Sequence, residues 1–488
     1  MDERKKIPLY NLAVKGVFWL ICAQVIIAGS LFFGNIFYAR LLSPKDFGLI
    51  GLTVSLMSLM TGFSRTGIDL ALIQKKDEYE KYLNTAWTIE AVRGLIIFVI
   101  LCLLAPFLAK FFNESSINKI VCVMGVGFLF QGFTNIGAVL FRKNLNFYKQ
   151  FILSSFPVII GTMVGVVLAF VLKNVWAIVA GSLTGGFLKL ALSYILHPYK
   201  PRVEIDPKKL LELLNFGKWM FGLGILFFLT SRLDNLVVGK IMGMTALGLY
   251  AYSFNLATLI PKRLYTIFGN TTFSAFSKIQ DDIDRLKKAF FNTMESVSFI
   301  MFFFTAILLI FIPDLVRLIL GNKWIPIIPV VRVLCFAAAF QWTVIGSHFM
   351  AMGCPDKKFK INLIRTVSVL ILIVPLTVIL GIFGTALSVM VAHLIAFVIW
   401  FVYSKKLLEC KYTDILSCFC PAFCVTSITG ILIVIIRRFR GDVGFSASIL
   451  HFMVFIILYI SFSYLVCKLW RKDFLKNLIY ISKSISEF

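Results

Sequence analysis

The residues with the most chemical leverage in this sequence are charged side chains set inside long apolar runs. Cations stand at Arg65, Arg93, Lys189, Arg232, Lys262, Arg263, Arg332 and Arg365, and anions at Asp69, Glu90, Asp234 and Glu295. An ionised side chain in the middle of a membrane span costs roughly 2.5–3.5 kcal/mol, so each must pair, reach the interface or line a polar path. Cations outnumber anions here, and a path with that balance suits an anionic group such as phosphate. Arg232, Lys262, Arg263 and Arg332 are the candidates for contact with it, and Arg65 and Arg365 complete the set.

Spacing separates the alternatives. Arg65 and Asp69 are four apart and can pair on one helix face, or Asp69 can serve ion coupling. Arg93, Glu90 and Glu295 lie close enough to a span end to snorkel. Arg232 and Asp234 are two apart and do not face each other, so Asp234 must pair elsewhere or take part in ion coupling. Lys262 and Arg263 follow Pro261, where a kink is expected, and at least one of two adjacent cations points away from lipid. His348, His393 and His451 are either packed membrane histidines or proton relays.

Other chemistries leave no mark. There is no G-x-x-x-x-G-K-[ST] phosphate loop, no G-x-S-x-G and no H-E-x-x-H, so no catalytic residue, metal or cofactor is assigned. The ten cysteines show no paired C-x-x-C spacing and read as free thiols.

The elements that position the charges are membrane helices. The chain has 488 residues, 59% of them hydrophobic and 15% charged, with a mean hydropathy of +0.90. No soluble fold hides that much apolar surface, so the fold class is an all-α polytopic membrane protein. About fourteen continuous runs are long enough to cross a core of roughly 30 Å. Among them are Gly48–Ile68, Ile120–Leu140, Phe151–Leu172, Val175–Leu196, Gly217–Gly239, Ala246–Phe268, Ile327–Met350, Ile361–Leu380 and Ile382–Tyr403. The net charge of +25 belongs to membrane loops and not to nucleic-acid binding. With the N-terminus inside, the inner segments hold about 30 Lys and Arg and the opposite loops about 11, which puts both termini in the cytoplasm. The inner segments His197–Asn215 and Ser277–Asn292 carry apolar residues at helical spacing and suggest surface helices.

The chain also repeats itself. Ser30–Leu59 and Thr230–Leu259 align without a gap: Asn35 falls on Asn235, Arg40 on Lys240, Gly48 on Gly248 and Leu59 on Leu259. The turn at Lys173–Gly181 likewise pairs with Leu380–Ser388. The expected organisation is therefore a six-helix lobe over 1–196, a linker over 197–216, a second six-helix lobe over 217–403, and two additional helices with a tail over 404–488. Arg40 and Lys240 fall at equivalent outer corners and are gate or interface candidates.

The runs YARLLSPKDFGLIGL, GIDLALIQKKDEYEKYLNTAWTIE, DNLVVGK with LGLYAYSFNLATLIP, and LILGNKWIP resemble polysaccharide exporters of the Wzx type, most closely their colanic-acid and teichuronic-acid branch. That family belongs to the multidrug/oligosaccharidyl-lipid/polysaccharide flippase superfamily. The resemblance implies a MATE-like fold, two lobes in a V around a cavity. It also implies transport of an undecaprenyl-diphosphate-linked oligosaccharide between leaflets of the cell membrane, without enzymatic activity. Membrane lipids, and the polymerase and export proteins of the same pathway, are the implied partners. Two other readings stay open: an ion-coupled exporter of small molecules on the same fold, and a membrane glycosyl polymerase or ligase. The cationic excess weighs against the first and the short outer loops against the second.

Overall fold

A computed structural model describes residues 9–64, 68, 72, 80–144, 146–207, 232–341, 346–440 and 445–470. All regular structure among them is helical. In hydrocarbon a helix satisfies its backbone groups within one segment, which is why continuous apolar runs adopt it. The chain divides into two compact units, Met1–Gly248 and Leu249–Phe488.

In the first unit, α1 (Leu9–Leu41) is followed by α2 (Pro44–Phe63). Ser43 caps α2, accepting the Asp46 N–H while Asp46 accepts the Ser43 N–H at 2.9 Å, and Pro44 occupies the first turn. Next come α3 (Glu80–Phe111) and α4 (Ser116–Gly132). The expected span Ile120–Leu140 does not run straight: a 3-10 turn and a short helix over Ile136–Lys143 leave α4 at 72°. Asn135 causes the break, since its side chain accepts the Gly137 N–H at 2.9 Å and caps the new turn in place of the ladder. Then α5 (Phe147–Leu172) and α6 (Trp176–Leu196) form a hairpin through Lys173, whose φ of 48° ends α5 in the left-handed region.

α5 and α6 meet through Gly161 and Gly165 on one side and Gly181 and Gly185 on the other. A methyl at Gly161 would lie 2.6 Å from the Gly181 carbonyl oxygen, and one at Gly181 would lie 2.6 Å from the Gly161 oxygen. Two G-x-x-x-G faces thus bring the backbones together, the usual route to helix association where lipid removes the hydrophobic drive.

Of the expected surface helix His197–Asn215, the described residues before Pro207 are not helical. Residues 197–206 hold Pro198 and Pro201 and no regular structure, and 208–231 lie outside the described residues together with most of the span Gly217–Gly239. α7 (Leu233–Ser277) holds a break at Gly243, with φ 79° and ψ −179°. α8 (Ile283–Asp314) absorbs most of the expected surface segment Ser277–Asn292 into one long helix capped by Asp282, and a π-helix over Leu315–Leu320 extends it. α9 (Ile327–Gln341) is followed by α10 (Pro355–Leu408). A straight helix as long as α10 would measure roughly 80 Å against a core of about 30 Å. Gly381 resolves this with φ 64° and ψ −146°, breaking α10 where the sequence divides Ile361–Leu380 from Ile382–Tyr403.

α11 (Cys420–Arg440) and α12 (Phe445–Trp470) are the last two helices among the described residues. They pack on α8 through Phe303, Phe311, Phe455 and Tyr459. The Tyr459 hydroxyl donates to the Phe299 carbonyl at 2.7 Å, and Arg437 pairs with Asp314 at 2.7 Å. Nine helices among the described residues are long and apolar enough to cross a membrane, with the bent α4 pair as a tenth. The breaks inside α7 and α10 keep this compatible with about fourteen crossings.

Gly161→Val or Gly181→Val is expected to cost about 1–3 kcal/mol by overpacking. Gly29→Val, with no atom within 4 Å of the added carbon, is the neutral control. Thermal unfolding in detergent compares the three.

Candidate functional site

The described part of the second repeat opens on Arg232, which is half-buried just ahead of α7. Asp234, in the first turn, is 8% exposed, and its Oδ1 accepts the Asn235 N–H at 2.9 Å. Free N–H groups and the positive end of the helix dipole stabilise a carboxylate there. The buried Asn235 side chain donates to Ser55 Oγ on α2 at 2.9 Å. Its repeat counterpart Asn35 is exposed, so the two copies have put the same amide to different use.

Farther along α7, Lys240 Nζ donates to the Phe111 carbonyl at 2.6 Å and lies 4.4 Å over the Phe111 ring. Its counterpart Arg40 is exposed in the last turn of α1, where a cation complements the terminal carbonyls. The neighbouring turns are stapled to one another. Lys45 Nζ pairs with Glu114 Oε2 at 2.7 Å, and the Ser116 hydroxyl donates to Glu114 Oε1 at 3.0 Å. The Val175 N–H, just ahead of α6, donates to Asp46 Oδ1 at 3.0 Å. One carboxylate therefore closes the α2 capping box and satisfies a second helix start. Burial works to raise the Glu114 pKa, but hydrogen bonds and charge from Lys45 and Ser116 outweigh it and hold the carboxyl below its ordinary range.

The other end of the first unit carries a second polar network. The irregular strap after α6 crosses α3, where Asn84 Nδ2 donates to Glu204 Oε2 at 3.0 Å and Asn84 Oδ1 accepts the Tyr199 hydroxyl. Glu204 N–H donates to Thr88 Oγ1 at 3.1 Å, and Asn135 Nδ2 donates to the Tyr199 carbonyl at 2.7 Å. Burial, then the charge of Lys149, lowers the His197 pKa; burial, then Glu204 and Tyr194, pushes Tyr199 up to about 12. Between the two ends, Arg93 does not simply snorkel. It pairs with Glu90 at 2.6 Å and donates to the Ser64 carbonyl at 3.1 Å, joining α3 to the end of α2.

The remaining described candidates lie in the second unit. Lys262 and Arg332 are exposed and Arg365 is half-buried, all in the second unit. Arg65 and Asp69 lie outside the described residues, as does the side chain of Arg263. Glu295 is buried in α8 at 5% exposure. The histidines are packed: His348 Nε2 hydrogen-bonds Ser404 Oγ at 3.0 Å against the Phe290 ring, and His393 Nδ1 hydrogen-bonds the Val389 carbonyl at 2.7 Å.

The Lys45–Glu114, Asp46–Val175 and Asn84–Glu204 contacts carry no periodic signature, because each joins residues far apart in the chain. Only the Ser43-x-x-Asp46 spacing, a capping-box pattern, marks one of them in the sequence.

The family described as polysaccharide biosynthesis protein matches residues 37–329. The chain belongs to that family. It is 27% identical over 429 residues to the lipopolysaccharide biosynthesis protein WzxC of Escherichia coli (strain K12), covering 85% of this chain and 86% of WzxC. Among solved structures, the lipid II flippase MurJ in an inward closed conformation matches at a TM-score of 0.73 and 14% identity, covering 93% of this chain and 99% of MurJ. An inward-facing multidrug resistance MATE family transporter of the MOP superfamily matches at 0.61 and 14% identity, over 77% of this chain and 94% of that one. At these identities the structures establish a shared fold, a MATE-like all-helical membrane fold, for this polysaccharide biosynthesis protein.

A depressed carboxyl pKa contributes stability above its unfolded value that is lost as pH falls through the folded value. Glu114 therefore stabilises the protein from neutral pH down to its unfolded pKa, and protonation below that range releases Lys45. The thermal midpoint of the wild type is expected to fall faster than that of Glu114→Gln as pH drops below about 4.5, near the usual glutamate range. Parallel profiles would refute the assignment.

Proposed function

We propose that this protein is a transporter that flips undecaprenyl-diphosphate-linked oligosaccharide repeat units from the cytoplasmic to the outer leaflet by alternating access. The observation that carries the reading is membership of the polysaccharide biosynthesis family over residues 37–329, with likeness to WzxC over 85% of this chain and 86% of that one. A fold shared with a lipid II flippase fits the same task. The relatives' names describe biosynthesis, transport and flipping and no enzymatic step.

In this reading the chain lies in the cell membrane with both termini cytoplasmic. The lobes 1–196 and 217–403 are the bodies that rock, 197–216 links them, and 404–488 supports the second lobe. The Lys and Arg excess of the inner segments supports that orientation. Arg232, Lys262, Arg263, Arg332, Arg65 and Arg365 contact the diphosphate while the lipid tail stays in the bilayer. Asp234 and Asp69 pair with these cations or take part in ion coupling. Burial of Asp234 beside the Asn235 anchor supports a structural share in that role. Arg40 and Lys240 act at the gate, a role supported by the Lys240 bond to the end of α3. Polymerase and export proteins of the pathway receive the product.

Losing one charge-assisted contact of about 1.5 kcal/mol corresponds to roughly tenfold in rate. Arg232→Ala and Arg332→Ala, at wild-type protein levels, are therefore each expected to slow delivery of labelled repeat units to the outer leaflet about tenfold. Full activity in both would remove these residues from the site. Deletion of the gene is expected to leave single repeat units on the inner leaflet; accumulation on the outer leaflet would indicate a polymerase instead.

A further inference from the structure

The repeat is visible as a physical contact. Gly48 on α2 and Gly248 on α7 are matched in sequence, and in the structure they face each other. A methyl at Gly48 would overlap the Met244 carbonyl oxygen, and a methyl at Gly248 would overlap the Pro44 carbonyl oxygen. Residue 48 thus meets 244 while 248 meets 44, a reciprocity that places a local two-fold axis between the glycines. The crossing is made backbone to backbone. Leu52 and Leu247 beside it are fully buried.

The two sides of the crossing are held differently. On the α2 side the turn is rigid: Ser43 and Asp46 close a capping box, Asp46 also holds the Val175 N–H, and Lys45 holds Glu114. On the α7 side the position matched to Ser43 is Gly243, with φ 79° and nothing within 4 Å of an added methyl. Few residues other than glycine tolerate that backbone, and the open space lets it change. The side-chain bonds flanking the seam are few: the buried Asn235 to Ser55, and Lys240 to the Phe111 carbonyl and ring.

We infer that the Gly48–Gly248 crossing is a seam that closes the transport path on the Ser43 side and parts in each cycle, with the α2 turn as its fixed jamb and Gly243 as the hinge of its moving leaf. This rests on the alternating-access reading and on the orientation that puts Ser43 outside. It adds two uncharged residues, the paired glycines, to the gate at which Arg40 and Lys240 act. Because the contact is reciprocal, widening either glycine must have the same effect, and widening both must do little more than widening one.

The test uses the full chain in intact cells. Leu52→Cys places a thiol one turn along α2 from Gly48, and labelling by a membrane-impermeant maleimide is measured above that of the parent chain. Leu52→Cys alone is expected to label weakly. Gly48→Val and Gly248→Val are each expected to raise labelling several-fold, with no further rise in the double variant, and to slow repeat-unit transport. Gly181→Val, a wedge in the α5–α6 hairpin, is expected to leave labelling unchanged. Equal labelling with and without the wedges, a response to only one glycine, or raised labelling with wild-type transport would overturn the seam. Should the valine variants fail to reach the membrane, Gly48→Ala and Gly248→Ala are read by the same criteria, and their loss too would mark the crossing as static packing and overturn it. Raised labelling in a protein that moves no lipid-linked oligosaccharide would leave the seam standing and remove the functional reading.

Discussion

Lipid gives a helix neither hydrogen-bond partners nor a hydrophobic reason to leave one neighbour for another. The structure depends on that constraint. Backbone polar groups are satisfied within helices, and helices associate where their backbones can come within van der Waals reach. The α5–α6 hairpin does so through Gly161, Gly165, Gly181 and Gly185, and α2 meets α7 through Gly48 and Gly248. Large apolar side chains are left to face outward, Ile195 at 76% and Val171 at 73% exposure, as a hydrocarbon solvent allows.

Polar chemistry is then concentrated at helix ends, where unsatisfied N–H and C=O groups need partners. Each such residue takes more than one. Asp46 serves the starts of α2 and α6; Asn135 caps a turn and holds the strap; Asn84 binds Tyr199, Arg202 and Glu204 together. Economy of this kind makes the ends of the first unit cooperative, so that a charge removed at one turn is felt by helices with no sequence relation to it. The appended α11 and α12 extend the same logic to the second unit, where Arg437 reaches both Asp314 and the Ile310 carbonyl at the end of α8.

What the sequence discloses follows from how local each cause is. Continuous apolar runs and glycine turns are local, and the breaks at Gly243 and Gly381 fall where the runs divide. The kink at Asn135 is less legible, because an asparagine in an apolar run is silent until its side chain finds the Gly137 N–H. Candidate cations are legible as costly residues, but their partners are not: Arg93 finds Glu90 one turn away and Ser64 across a helix boundary, and only the first is a matter of spacing. Glu114, the carboxylate with the clearest electrostatic environment at the turns, sits in a short loop that no intramembrane count would select.

The repeat sharpens this distinction between frame and function. Identical copies would close on each other symmetrically and open symmetrically. Here the first copy spends its turn on a capping box, with Ser43 and Asp46 fixing the start of α2. The second replaces Ser43 by a glycine in the left-handed region and adds Arg232 and Asp234 before the same helix face. The substitution exchanges rigidity for freedom at one corner of an otherwise matched contact. A capping box on one side of a reciprocal contact and a positive-φ glycine on the other make its two sides unequal in stiffness, however alike their sequences.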